Sequence, residues 1–128
     1  MFATIDKSKF PEVRVTFSDD IDETSFNDFL NEWRNLYVEK KYFSFVFDTT
    51  NMGFPPLLYC YLMVQFLQSM KLEKKHYLKS SIIIIPNNYI VYLLDLIFTI
   101  ENPISDVKVI NNEGVILNEY KAAQINDS

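Results

Sequence analysis

The sequence predicts an α/β domain built on a largely parallel sheet, and three observations predict it. The runs "YFSFVFD" (42–48), "SSIIIIPN" (80–87) and "SDVKVIN" (105–111) have the length and near-continuous hydrophobicity of strands inside a parallel sheet covered by helices, rather than on a half-exposed antiparallel face. Segments of helical period separate them, so strand and helix alternate as in consecutive βαβ units. The 128 residues contain no repeat, linker or low-complexity segment, and two cores of useful size would not fit in that length, so 1–128 reads as one domain.

Taken in order, Phe2 to Ile5 and Val13 to Phe17 are β-prone runs joined by the polar "DKSKFP", which predicts an opening hairpin. In "VRVTF", Val13, Val15 and Phe17 alternate with Arg14 and Thr16, the pattern of a strand with one face in the core. After the acidic turn "SDDIDE", Ser25 and Asp28 resemble a capping box. Phe26, Phe29, Leu30, Trp33 and Leu36 then recur at helical spacing, predicting an amphipathic helix to about Lys41. Asn27, Asp28, Asn31, Glu32 and Arg34 take its opposite, wet side.

The strand at 42–48 ends in Asp48 and is followed by a turn and the double proline Pro55-Pro56. Pro56 reads as the first residue of a helix running to Met70, where the missing N–H of proline costs nothing. That helix is apolar around most of its circumference, more than one face of a sheet requires, so the surplus must meet a neighbouring helix or a second molecule. The isoleucine strand stops at Pro86, and a helix from Tyr89 to Ile100 follows, introduced by Asn87 or Asn88 as N-cap. "NEYKAAQ" (118–124) reads as a last helix. The sum is a four-to-five-stranded mixed sheet with an opening hairpin and three to four helices.

Composition limits the function classes. A net charge of −5 disfavours nucleic acid and anionic lipid surfaces, both of which need a basic footprint. Cys60 is the single cysteine, so neither an intrachain disulfide nor a thiolate-rich metal site is expected, and a reducing, cytoplasmic setting fits. "MFATIDKSKF" lacks the basic and apolar regions of a signal peptide. Pro86, Asn87, Asn88 and Asp95 interrupt the apolar stretch 82–100, and no membrane span is expected. With Gly53 and Gly114 as the only glycines, no phosphate-cradling loop is present.

Candidate chemistry is sparse. His76, the only histidine, lies in the polar turn "LEKKHYLK" and reads as a solvated surface residue, while Cys60 falls inside an apolar helix remote from it in sequence. Asp48 stands at a strand end, where carboxylates in α/β folds often line a ligand crevice, and pairing with Asp95 or Glu101 would suggest acid–base chemistry. Bracing of the following turn is the favoured reading of Asp48, and Asp95 reads equally as part of a solvent stripe. No catalytic, cofactor-binding or metal-ligating set can be assembled.

The opening hairpin, "FSFVFDTTNMGF" ending its strand in Asp48, the helix after it, "SSIIIIPNNYIVYLLDLIF" as strand and helix, and "ISDVKVIN" as last strand together resemble the STAS domain and the related SpoIIAA-like and CRAL-TRIO-like group. The pattern is also similar to STAS-like proteins of large DNA viruses of algae and protists. The resemblance implies a SpoIIAA-like fold and a regulatory protein-interaction module. In that family a serine or threonine at the start of the helix after the acid is phosphorylated by a partner kinase. Aligning Asp48 with the family's strand-end acid puts Pro56, Leu57, Leu58 and Tyr59 on that motif, and the acceptor is missing.

The expectation is therefore a non-enzymatic docking module. Its surface is expected around Thr49, Thr50, Asn51, Met52 and Phe54, and along Tyr59, Met63 and Phe66 at i, i+4 and i+7 of the helix. The partner is another protein or a second copy forming a homodimer. The alternative, implied by the CRAL-TRIO side, is a small apolar-ligand or lipid-binding domain, which calls for a cavity of roughly 300 Å³ or more.

Overall fold

The computed structural model describes residues 2–73, 75–86 and 89–122. Strand β1 (Ala3–Asp6) and β2 (Glu12–Phe17) form the opening hairpin. Helix α1 (Glu23–Leu36), β3 (Phe43–Asp48), α2 (Leu57–Met70), β4 (Leu78–Ile84), α3 (Tyr89–Ile100), β5 (Asp106–Ile110) and β6 (Ile116–Tyr120) follow. The six strands lie side by side in chain order. β2 to β5 are parallel, and β1 and β6 close the two edges antiparallel.

That order decides where the helices go. Parallel crossovers are right-handed as a rule, and each new strand is added on the same side of the last, which puts all three helices on one face of the sheet. Their contacts agree. Phe29 of α1 packs its ring 5.2 Å from Phe17, Trp33 lies 5.0 Å from Phe45 and 5.0 Å from Phe66 of α2, and Phe98 of α3 lies 4.8 Å from Tyr120. Phe43, Phe45, Phe47, Ile83, Ile85, Val107 and Val109 supply the sheet's side of this core.

The apolar strands are thus covered on one face only, which corrects the expectation that helices enclose them. On the open face stand Arg14, Ser44, Asp48, Ser80 and Lys108, with Val46, Ile82 and Ile84 between them. Val46 is nevertheless buried, and Arg14, its register partner, pairs with Asp48 at 2.9 Å.

The sheet has six strands rather than four or five, and residues 118–120, expected to begin a helix, belong to β6. Residues 123 and 124 of that expected helix lie outside the described residues. The turn before β6 is built by Asn111, whose side chain accepts N–H bonds from Glu113 and Val115 at 2.9 and 3.0 Å, and by Gly114 at φ +83°. Tyr120 then faces the core side and donates its hydroxyl hydrogen bond to Asp95 of α3. A tertiary partner has overridden the local preference of the segment.

Helix α1 is capped by Asp22, not Ser25. The Asp22 carboxylate accepts the Ser25 N–H at 2.7 Å and the Ser25 hydroxyl accepts the Asp22 N–H at 3.1 Å, a capping box shifted three residues upstream. The Ser25 N–H holds the Asp22 carboxyl below the usual carboxylate range. The helix ends at Leu36 rather than near Lys41, because Tyr37, Val38 and Lys40 close a turn and Lys40 takes φ 55°. Pro56 is the N-cap residue of α2, one position before the N1 site expected for it. The expected cap of α3, Asn87 or Asn88, lies outside the described residues.

Candidate interaction site at the carboxyl end of β3

Where β3 leaves the sheet the chain turns sharply, and local polar chemistry holds the turn. Asp48 accepts the Thr50 N–H at 3.0 Å with one oxygen and the Arg14 guanidinium at 2.9 Å with the other. Burial raises the Asp48 pKa, but the Thr50 hydroxyl and amide and the Arg14 charge outweigh it, and the carboxyl sits below its ordinary value. Thr49 donates both its N–H (3.0 Å) and its hydroxyl (2.7 Å) to the carbonyl of Ile84, and Met52 N–H bonds the Thr49 carbonyl at 3.0 Å. Gly53 closes against the preceding loop so tightly that a Cβ there would meet Asp19 Cβ at 3.2 Å.

This geometry divides the expected surface residues. Thr50, Asn51 and Phe54 are exposed, Phe54 to 60%. Thr49 is buried, and its hydroxyl is committed to Ile84. Met52, Tyr59 and Met63 are half-buried and turn inward, with the Tyr59 ring 5.1 Å from Phe26. Phe66 is 3% exposed, against Trp33 and beneath the Arg34 guanidinium at 4.9 Å. The stripe Tyr59, Met63 and Phe66 therefore packs against the core. Spacing alone gave the correct period and the wrong phase, because an apolar helix does not mark which of its faces meets the sheet.

The outward residues of α2 are Leu57, Leu58, Tyr61, Gln65 and Gln68. Helix α3 adds an exposed stripe that the sequence reading missed: Tyr89, Tyr92, Leu96 and Ile100 at i, i+3, i+7 and i+11. Its signal was present in the spacing, but the run's hydrophobicity reads first as core.

Thr49, Met52, Pro55, Tyr59, Cys60 and Met63 help to wall an apolar cavity of about 150 Å³ between the helices and Phe47 and Ile83 of the sheet. The Cys60 thiol is buried there, and desolvation raises its pKa, which disfavours the thiolate.

The remaining titratable candidates are held apart by separate partners. Asp95, half-buried, accepts from the Tyr120 hydroxyl and from Asn118 at 3.5 Å, so it anchors β6 rather than a solvent stripe. Glu101 pairs with Lys71 at 2.6 Å, tying the carboxyl ends of α3 and α2. His76 is half-buried with its ring 6.4 Å from Tyr37, which corrects the solvated placement expected for it. Desolvation pushes the neighbouring Tyr37 phenol up to about 12. Asp48, Asp95 and Glu101 thus share no site.

Among the described residues no group of three or more His, Cys, Asp or Glu side chains could hold a metal ion, and no helix is long and apolar enough to cross a membrane. Comparison of the chain with protein-family models, with curated proteins and with solved structures finds no match.

Proposed function

We propose that this chain is a non-enzymatic, STAS-like regulatory module of the cytoplasm that binds another protein through the exposed corner after β3. The observation that carries this reading is Phe54. It is a large aromatic side chain 60% exposed to water, on a loop pinned by the bonds of Asp48 and Thr49 and by the close approach of Gly53 to Asp19. An apolar anchor held ready on an ordered turn loses little entropy when it enters a partner's pocket. Thr50, Asn51 and Leu57, its neighbours along the chain, are exposed as well.

The order of elements supports the STAS-like assignment: an opening hairpin, a strand ending in Asp48, the helix after it, the isoleucine strand with its helix, and a further parallel strand. The residues at the family's phosphorylation motif make docking constitutive. Leu57 and Leu58 have no hydroxyl, the Tyr59 ring packs on Phe26, and Thr49 is buried. The engaged state of Asp48, Asp95, Glu101 and Cys60 in structural contacts supports a module without catalysis.

Phe54→Asp tests the reading. In affinity capture, partner proteins retained by the wild-type chain are lost with Phe54→Asp, whose circular-dichroism melt is unchanged. Equal capture by both proteins would refute a docking role for this corner.

A hollow of about 540 Å³ between β1 and α1 is lined in part by Lys7, Asp28, Asn31 and Glu32, so the apolar-ligand reading rests on the smaller cavity of about 150 Å³, whose exposed lining is apolar. Dry cavities of that size take a guest of about one benzene ring, half the roughly 300 Å³ at which drug-sized ligand sites begin. A lipid extracted with the purified protein and identified by mass spectrometry would reverse the ranking of the two readings.

A further inference from the structure

We infer that the outer faces of α2 and α3 form one continuous surface on which a second copy of this chain docks, giving a two-fold homodimer with the helices in the middle and the sheets outside. The two helices pack side by side and are tied at their carboxyl ends by Lys71 and Glu101 at 2.6 Å. Leu58 and Tyr61 of α2 are 60% and 58% exposed, and Tyr89, Tyr92, Leu96 and Ile100 of α3 are 65%, 66%, 43% and 57% exposed. A helix resting on a sheet needs only one apolar stripe, and α3 has a second along its whole length.

Area and charge point to a second copy as the occupant. An aromatic side chain carries ~150–250 Å², so exposures near 60% leave on the order of 100 Å² each, and the whole face offers on the order of 800 Å², about one partner's share of a standard interface. The chain carries a net charge of −5, which keeps copies apart wherever acidic surface meets acidic surface. Every exposed residue of α2 and α3 is uncharged. The polar groups on this face include the Gln65 and Gln68 amides and the Tyr61 and Tyr92 hydroxyls, which both donate and accept hydrogen bonds. Such groups complement themselves across a two-fold axis, where each patch meets its own image. A partner selected by charge would be met by side chains of fixed sign.

The inference is independent of the Phe54 corner, and the two fail separately: loss of capture by Phe54→Asp says nothing about the mass of the wild-type particle. Sedimentation velocity from low to high micromolar concentration should give twice the monomer mass. Leu96→Glu and, as a second variant at a more exposed site, Tyr92→Glu should each weaken the dimer by at least ~100-fold, since a charge would enter a dry contact. Both should keep the wild-type far-ultraviolet circular-dichroism spectrum, with a melt lowered only by the stabilisation that dimerisation gives the wild type, and Asn31→Glu on the outer face of α1 should leave the dimer intact. Hydroxyl-radical footprinting of the wild type, which needs no variant, should show Tyr61 and Tyr92 protected as concentration rises. A wild type that stays monomeric at high micromolar concentration, whether or not it sediments with phosphatidylcholine vesicles, overturns the inference. So does a dimer that leaves Tyr92 as reactive as in the monomer.

Discussion

Helix α1 and the pair α2 and α3 lie in one layer on one sheet, yet their outer faces differ in kind. The exposed residues of α1 include Glu23, Asn27, Asp28, Asn31, Glu32, Arg34 and Asn35, while its inner stripe, Phe26, Phe29, Trp33 and Leu36, is buried. That is the division a helix between core and water requires. Helices α2 and α3 bury Cys60, Val64, Phe66, Leu67 and Met70, and Ile90, Leu93 and Ile97, as efficiently, but expose leucine, isoleucine and tyrosine on the other side. The layer itself therefore needs no apolar outer face. On α2 and α3 that face is an excess over what folding uses, and it is the observation on which the proposed dimer rests.

The comparison can be broken most forcefully from the inside. Trp33→Ala removes the ring wedged between Phe45 and Phe66 and should cost about 3–5 kcal/mol in urea denaturation, the largest effect expected here. Met63→Lys comes next. Met63 lines the apolar cavity, so the substitution should destabilise by about 2–4 kcal/mol or cause aggregation. A soluble, fully folded Met63→Lys monomer would instead return this residue to the outer face.

A pH titration sharpens the boundary at the end of α1. The unfolded tyrosine ionises near 10, and burial raises Tyr37 to about 12 in the folded chain. The native state thus favours the protonated phenol. Its contribution is complete below pH ~10 and is lost as pH climbs from there to about 12. Melting temperatures of the wild type should fall across this window more steeply than those of Tyr37→Phe.

Smaller effects belong to the sheet and the outer surface. Asp48→Ala should cost about 1 kcal/mol through loss of the Thr50 N–H bond and the Arg14 pair, read as a lowered melting temperature. The Asp48 pKa is depressed, so this contribution is present above the unfolded value near ~3.9 and disappears as pH falls through the lower folded value. Smallest of all, Asn31→Ser on α1 and Tyr92→Ser on α3 should each change stability by no more than ~0.5 kcal/mol, because both side chains are exposed. Any difference between them should appear in particle mass and in the concentration dependence of the melt.

Much of the fold was legible in the residues. The strand–helix alternation, the opening hairpin, the extents of α2 and α3 and the place of Asp48 at a strand end follow from apolar run lengths and from proline and polar interruptions, which act locally. The candidate corner was legible in part: Phe54, Thr50 and Asn51 are exposed as expected, because a turn between a buried strand and helix must lie at the surface. The same reasoning failed for Tyr59, Met63 and Phe66, and for the capping box of α1, where Asp22 competes for the role assigned to Ser25.

By itself the sequence determined which segments as far as β5 become strands and helices, that their apolar stripes must be buried, and that the net charge is acidic. These depend on side-chain periodicity and on charge, which are properties of neighbours along the chain. Tertiary structure alone decided that all three helices share one face and that residues 118–120 become an edge strand bound to α3 through Tyr120 and Asp95. It also decided which side of α2 looks outward. Each of these depends on the rotation of a whole element against partners distant in the chain, and an apolar helix with several equivalent stripes acquires an inside only when the sheet is beneath it.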